Sequence, residues 1–592
     1  MANAQRIIKR PVKFYGWILL VCGIFTCALL ASAQYPSTSQ IGKDGTAVLL
    51  EDYANPPLSN PTHGGATPGP IDYKIQLGRV TSLRSEPSNA PLAASRFFVD
   101  DQSSTIYIFD KASKKFTPYL NFADVFPKFV SDAGGTMGIV SINFDPAYAK
   151  NGKFYTVHTE KPDMTGSATP TNAKLPSLNV TGYSTTPAVN PPSGAVHLES
   201  VLVEWTDANI RNDTFEGSAR EILRVGFDRN HPMADLIFDP LARPGRADYG
   251  DLYIGVGDGA QGETPGPSHT LPQQLNTLVG KILRITPDLK LHPKDMLSEN
   301  GRYRIPSTGS DPNPFVKVAG ARPEVYAYGL RNPHRMDWDV PTNTLLVNDI
   351  GLHLWEEIDI VTKGANYGYS EREGNEQLFV DSGGKTGSLM NPPVAFPDRD
   401  VLPVDGLDEP VVPVYPAAVY SHREGDSIGS GFVYRGKLMP ALRGKYIFND
   451  MTTARIFYVD LAEMIATHGQ RDQQAPVHEL QIMYKSPYDS SVDKPVKRRM
   501  FDIVAEAYSH KGGMPAQDRV LPQAAAATTG WTDEAHTKPK TDPEGNAYGG
   551  GRADVRIALG GDGEIYVLSK ADGMIRKMTS VVTPPPGKSG AN

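Results

Sequence analysis

The sequence predicts an all-β chain, a six-bladed β-propeller with long loop insertions, and three observations carry that prediction. One strand type recurs six times, each copy entered by a polar turn and built on an aromatic or aliphatic alternation. The 592 residues include 56 glycines and 50 prolines, a turn-rich composition that argues against a helical bundle. Helical periodicity is confined to one short stretch near 461–468. Length alone would suggest about four domains, but one closed propeller absorbs several hundred residues.

The recurring strands fall at 104–108, 152–157, 251–254, 343–347, 444–448 and 564–567, one for each expected blade. Their irregular spacing requires insertions, and 161–196, 290–318, 372–414 and roughly 486–547 are rich enough in Pro, Gly and polar residues to be those insertions. A β-sandwich or a pair of β domains is the alternative arrangement of the same strands.

Residues 1–33 read as a signal peptide. Arg6, Lys9, Arg10 and Lys13 precede an apolar run at 17–30, and Ala31-Ser32-Ala33 supplies the small residues of a cleavage site. The run is short for a membrane span, so an uncleaved anchor is the lesser reading. Lipid attachment at Cys27 is disfavoured by the bulky Ile24-Phe25-Thr26 before it. The expected location is therefore periplasmic or secreted, with no stable membrane span after cleavage. Residues 34–70 read as an extended lead-in, 71–580 as the propeller and 581–592 as a disordered tail.

Both cysteines, Cys22 and Cys27, lie in the leader. A mature chain without them has no disulfide, thiolate metal site, cysteine nucleophile or covalent haem. Losing the four leader cations takes the formal net charge from -7 to -11, which disfavours nucleic acid as a partner.

Two polar loops stand out first. His231 sits in a loop that feeds an apolar strand, and the next strand ends in Gly257-Asp258-Gly259. Neighbouring strands of one blade would bring both loops to one end of the sheet. A carboxylate beside an imidazole fixes its tautomer and favours the ring that has taken a proton. The bland readings are a solvated histidine and a tight turn.

Further on, Arg331-Asn332-Pro333 places a guanidinium fork and an amide on a proline-pinned turn. Asp349-Ile350-Gly351-Leu352 is a loop whose carbonyls glycine frees to face inward, and such oxygens suit Ca²⁺. Glu356, Glu357 and Asp359 follow, read as a solvated acidic loop. No G-x-S-x-G elbow, H-E-x-x-H or P-loop is present, nor a G-x-G-x-x-G that follows a strand and opens a helix, so nicotinamide and flavin of the Rossmann type have no visible home.

Several segments, in order, resemble the glucose/sorbosone dehydrogenase family. They are Gly134-Gly135-Thr136-Met137-Gly138, Asn143-Phe144-Asp145-Pro146 and Asn151-Gly152-Lys153-Phe154-Tyr155. Next come His231 with Leu236, Phe238 and Pro240, then Gly257-Asp258 and Tyr328-Gly329-Leu330-Arg331-Asn332-Pro333. Trp355-Glu356-Glu357-Ile358, Gly364-Ala365-Asn366-Tyr367-Gly368 and Gly431-Phe432-Val433-Tyr434-Arg435-Gly436 complete the set. Two departures accompany it: Met233-Ala234-Asp235 after Pro232, where the family usually has Gly-Gly, and His334 after Arg-Asn-Pro.

The resemblance implies an exported quinoprotein dehydrogenase that oxidises a sugar, aldose or related alcohol with pyrroloquinoline quinone (PQQ) and Ca²⁺. It implies His231 as the base and Asp258 as the acid that orients it. Arg331, Asn332 and Arg435, and more loosely Arg455, are the implied cofactor contacts, and Gly351 and Leu352 the implied Ca²⁺ ligands through their carbonyls. Hydride would pass to the quinone, polarised by Ca²⁺, and electrons would leave to a separate acceptor. The alternative is a non-enzymatic recognition propeller or a Ca²⁺-dependent lactonase-like hydrolase.

Overall fold

The computed structural model describes residues 41–59, 77–131, 136–263, 266–352, 355–380, 389–394, 400–422, 424–512 and 552–582. The expected signal peptide, most of the tail and Gly134-Gly135 lie outside the described residues.

Six mainly antiparallel sheets stand around one axis. Their innermost strands are Val80–Arg84, Ile139–Phe144, Met233–Phe238, Pro333–Asp339, Ile428–Val433 and Val555–Leu559. Each packs on the next and the last packs on the first, so the ring is closed. The fold is a mainly-β six-bladed propeller.

Each of the six recurring strands lies in a different sheet, as Thr105–Asp110, Lys153–Glu160, Leu252–Val256, Thr344–Asp349, Lys445–Asp450 and Ile565–Ser569. Five are the second strand of their blade. In the first blade the recurring strand is the third, because Arg96–Asp101 occupies the second place. Stacked blades bury both faces of these strands, which is why Leu252–Val256 and Lys281–Ile285 are buried throughout.

Closure corrects the expected lead-in. Ala47–Ala54, inside 34–70, pairs antiparallel with Met574–Val582 and completes the sixth blade. The strand pairing of the two ends removes the edges an open ring would expose. The surrounding Pro- and Gly-rich sequence had hidden this apolar run.

The expected short helix forms at Leu461–Thr467, where the Asp460 side chain accepts the backbone N–H of Ala462 at 2.9 Å. A longer helix, Met500–His510, arises within the insertion at 486–547 and buries Met500, Phe501, Ile503 and Val504. Among the described residues no helix is long and apolar enough to cross a membrane.

Strand direction sorts the loops between two mouths. Residues just before an innermost strand, such as His231 and Arg331, share one mouth with residues just after a second strand, such as Asp258 and Ile350. Residues just after an innermost strand lie at the other.

Candidate functional site

The loop ahead of Met233–Phe238 places His231 at φ 56, a left-handed conformation that costs a non-glycine residue free energy. Gly257 makes room for it, since a Cβ there would lie 2.5 Å from the His231 Cβ. The imidazole Nδ1 is 2.7 Å from Asp258 Oδ1. Asp258 is held in turn by the backbone N–H groups of Ala260 at 2.8 Å and Gly262 at 3.0 Å. A carboxylate in this position accepts the Nδ1 proton, which leaves Nε2 as the basic nitrogen.

Arg331 stands across from this pair, its side chain 10% exposed. Its Nη1 donates to the carbonyls of Ile350 at 2.9 Å and Gly351 at 2.6 Å. Its Nη2 is ion-paired to Glu263 Oε1, which lies 3.7 Å from His231 Nε2. Burial alone would raise the Glu263 carboxyl, but Arg331 and then His231 outweigh it and hold the group at about 2. Glu263 thus bridges the base and the guanidinium.

The turn itself rests on Asp349, which accepts the backbone N–H groups of Arg331 at 2.9 Å and Asn332 at 2.5 Å. Three buried polar atoms around the turn find no hydrogen-bond partner: Arg331 Nε, Asn332 Oδ1 and the Tyr369 hydroxyl. Tyr369 faces the same place, because a Cβ on Gly262 would meet both its hydroxyl, at 3.0 Å, and Asp258 Oδ2, at 2.8 Å. Orphaned groups of this kind are what a polar ligand would satisfy.

The expected acidic loop is instead the strand Trp355–Ile360, with Glu356, Glu357 and Asp359 all buried. Glu357 is in register with Asp349, and Asp359 lies two residues along the same face. Ligand oxygens of Asp349, Glu357 and Asp359 come within 4.8 Å of one another, and neither Asp359 oxygen has a hydrogen-bond partner. Burial, then the neighbouring Asp349 charge, pushes Asp359 well above the carboxylate range. Three hard oxygen donors so placed could hold a divalent cation.

Four other expected site residues have partners within the chain or lie away from this cluster. Arg435 follows Ile428–Val433 and lies at the other mouth, where it pairs with Asp339 through Nε at 2.9 Å and Nη2 at 2.8 Å. A six-residue strand separates the mouths by roughly 20 Å. Arg455 is at the near mouth, but its guanidinium is held by Glu424 and Glu479, each at 2.8 Å. At the expected Ca²⁺ ligands, the Gly351 carbonyl accepts from Arg331, and Leu352 bonds Glu373 through its backbone N–H, a contact that does not use its carbonyl. The structure brings His231, Asp258, Arg331 and Asn332 together.

Sequence reasoning missed Glu263, Tyr369 and the burial of Asp359. Glu263 sits at the end of a glycine loop that reads as an ordinary turn, and nothing in its spacing marks it. Asp359 did carry a signal, because the alternation Trp355, Glu357, Asp359 sets two acids on one face of a strand.

Residues 243–378 match the family described as Glucose / Sorbosone dehydrogenase. The HIPL1 protein of Arabidopsis thaliana is 27% identical over 53% of this chain and 42% of its own length. Aldose sugar dehydrogenase YliI of Escherichia coli is 35% identical over 24% of this chain and 29% of its own. Quinoprotein glucose dehydrogenase B of Acinetobacter calcoaceticus is 22% identical over 56% and 58%. A solved glucose dehydrogenase structure aligns with 88% of this chain and 99% of its own at a TM-score of 0.47 and 16% identity. The chain spans about half the length of the curated relatives it matches.

The closed ring of six blades makes this chain a propeller with its polar cluster at one mouth. Its residues 243–378 carry the glucose/sorbosone dehydrogenase match, and longer stretches of it are similar to HIPL proteins and to a quinoprotein glucose dehydrogenase.

Proposed function

We propose that the protein is an exported oxidoreductase that oxidises a sugar or related alcohol at the His231 mouth, working with PQQ and Ca²⁺. The His231–Asp258 pair, 2.7 Å apart and built on a strained backbone, is the observation that carries the reading. His231 Nε2 takes the substrate's hydroxyl proton, and Asp258 stabilises the imidazolium that results. Arg331 presents a buried positive charge beside the base, suited to an anionic ligand group. The quinone, when bound, supplies the hydride acceptor. Export rests on the composition of residues 1–33, and the absence of cysteine after Cys27 means that electrons leave to a separate carrier.

The residues present fit such a ligand in part. Arg331 Nε, Asn332 and Tyr369 offer unsatisfied polar contacts to an oxygen-rich molecule. A cation held by the Gly351 carbonyl would need Arg331 to release it, whereas Asp349, Glu357 and Asp359 offer oxygens without that movement. Purified protein given PQQ and Ca²⁺ should oxidise aldoses with an artificial acceptor. Absence of quinone binding by calorimetry would overturn the cofactor assignment.

One observation favours a second reading, a recognition module. Glu263 closes Arg331 and approaches His231, so the mouth is charge-satisfied without a ligand. The relatives also include Hedgehog-interacting protein of Mus musculus, 25% identical over 60% of this chain and 39% of its own length. Under that reading a His231→Ala variant keeps its affinity for a partner and there is no turnover to lose.

A further inference from the structure

Behind the mouth, the channel along the propeller axis contains a cavity of about 20 Å³. Innermost strands of five blades reach it, through Thr81, Ile139 and Val140, Ala234, His334 and Arg335, and Arg556. A space of this size accommodates one water or one ion of similar radius. It is far too small for a quinone or a sugar.

The wall is short of partners. Thr136 Oγ1, Asn332 Oδ1, His334 Nε2 and Arg556 Nε line it and make no hydrogen bond, although all are buried. Threonine, imidazole and guanidinium groups each have a proton to donate, and an Asn side chain presents its NH₂ once the amide is turned over.

The wall is also short of negative charge. Arg335, 4% exposed, donates only to backbone carbonyls, of His334 at 2.8 Å and Val140 at 3.3 Å. Among the described residues no carboxylate lies within ion-pair distance of it. Asp554 faces three cations, Arg556 at 2.8 Å, Lys570 at 3.0 Å and Arg79 at 3.5 Å. Asp235, the acid nearest Arg335 in effect, is paired with Arg84 at 2.7 Å. Asp100 also faces Arg335, and burial raises it to about 6 despite that charge.

We infer that the axial cavity binds a small anion, of halide size or a single carboxylate group, between Arg335 and Arg556 with His334, Thr136 and Asn332 as further donors. A water would satisfy the orphaned donors but leave a buried guanidinium without a counter-charge, which is costly in a low-dielectric interior. The titration behaviour agrees. Burial draws Arg335 down to about 10, against the pull of Asp235 and with Arg556 and Arg84 adding to the fall. Burial and then Arg556 draw Lys570 well below the lysine range. Both shifts describe a cluster that an anion would relieve.

Two measurements on the full chain test the site. Crystals soaked in sodium bromide should show an anomalous peak in contact with Arg335 and Arg556, and sodium formate should show density there if a carboxylate is the natural occupant. In solution, Tm should rise saturably, by about 2 °C or more, in sodium chloride or formate over sodium gluconate of equal ionic strength. Arg335→Leu should lose that dependence. If this variant does not fold, the wild-type bromide experiment decides alone. A wild-type Tm that follows ionic strength only, with no anomalous peak in the cavity, would overturn the inference. Neither result bears on sugar oxidation at His231, so this site and the proposed activity fail separately.

Discussion

The two polar regions on the propeller axis differ in how their charges are settled. At the mouth, each charged side chain has a partner in the chain: His231 with Asp258, and Arg331 with Glu263 and two carbonyls. In the channel behind, no carboxylate among the described residues lies within ion-pair distance of Arg335, and Asp554 faces Arg556, Lys570 and Arg79 together. Both regions leave polar atoms without hydrogen bonds, Arg331 Nε and the Tyr369 hydroxyl at the mouth, His334 Nε2 and Arg556 Nε in the channel, with Asn332 between them, but the channel is also short of negative charge. The first deficit suits a neutral, oxygen-rich molecule, or an anionic one that displaces Glu263. The second suits an ion.

The largest expected effect sharpens the mouth's side of that contrast. His231→Ala should lower sugar turnover by about 100-fold or more, with Tm almost unchanged, measured with an artificial electron acceptor. A variant that retains turnover would remove His231 from the chemistry.

Glu263→Gln comes next. Removing the carboxylate frees Arg331 for an anionic ligand, so the quinone should bind about tenfold tighter by calorimetry, equivalent to ~1.4 kcal/mol. Unchanged affinity would show that Glu263 does not compete for the guanidinium.

The same residue sets an acid limit. Glu263 sits at about 2 in the folded chain, below its ordinary 4.5, so the folded state binds fewer protons than the unfolded one. Its contribution is whole above pH 4.5 and fades as the pH falls toward 2. Acid melting curves should show this loss, and Glu263→Gln should flatten it.

A smaller effect concerns the buried acids beside the mouth. Ca²⁺ should raise Tm by a few degrees through Asp349, Glu357 and Asp359, and Asp359→Asn should weaken that rise. A rise of equal size in the variant would place the ion elsewhere.

The smallest effect separates the two mouths. Arg435→Ala, which removes a partly exposed pair with Asp339, should change activity less than about twofold and stability by about 1 kcal/mol or less. A large loss of quinone binding would reinstate Arg435 as a cofactor contact.

Much of the fold was legible because a propeller repeats one local pattern. The aromatic-aliphatic strand after a polar turn, as in Lys153–Glu160 and Ile565–Ser569, marks a blade wherever it occurs. The closing strand Ala47–Ala54 was not, since its pairing with Met574–Val582 joins chain ends over five hundred residues apart. At the site, His231 and Asp258 were readable because adjacent strands of one blade must carry their loops to one mouth. Arg435 was misplaced because segment order does not report strand direction, which sends residues after an innermost strand to the far end. Asp359 was misread because two-residue alternation of acids suggests solvent, whereas neighbouring blades bury both faces of that strand.

The account stands most directly on PQQ-dependent sugar oxidation by purified protein in Ca²⁺, with wild type and His231→Ala assayed side by side. Turnover in the wild type and its loss in the variant, with quinone binding retained in both, is the predicted result. Quinone binding absent from both proteins, or oxidation equal in both, would contradict it.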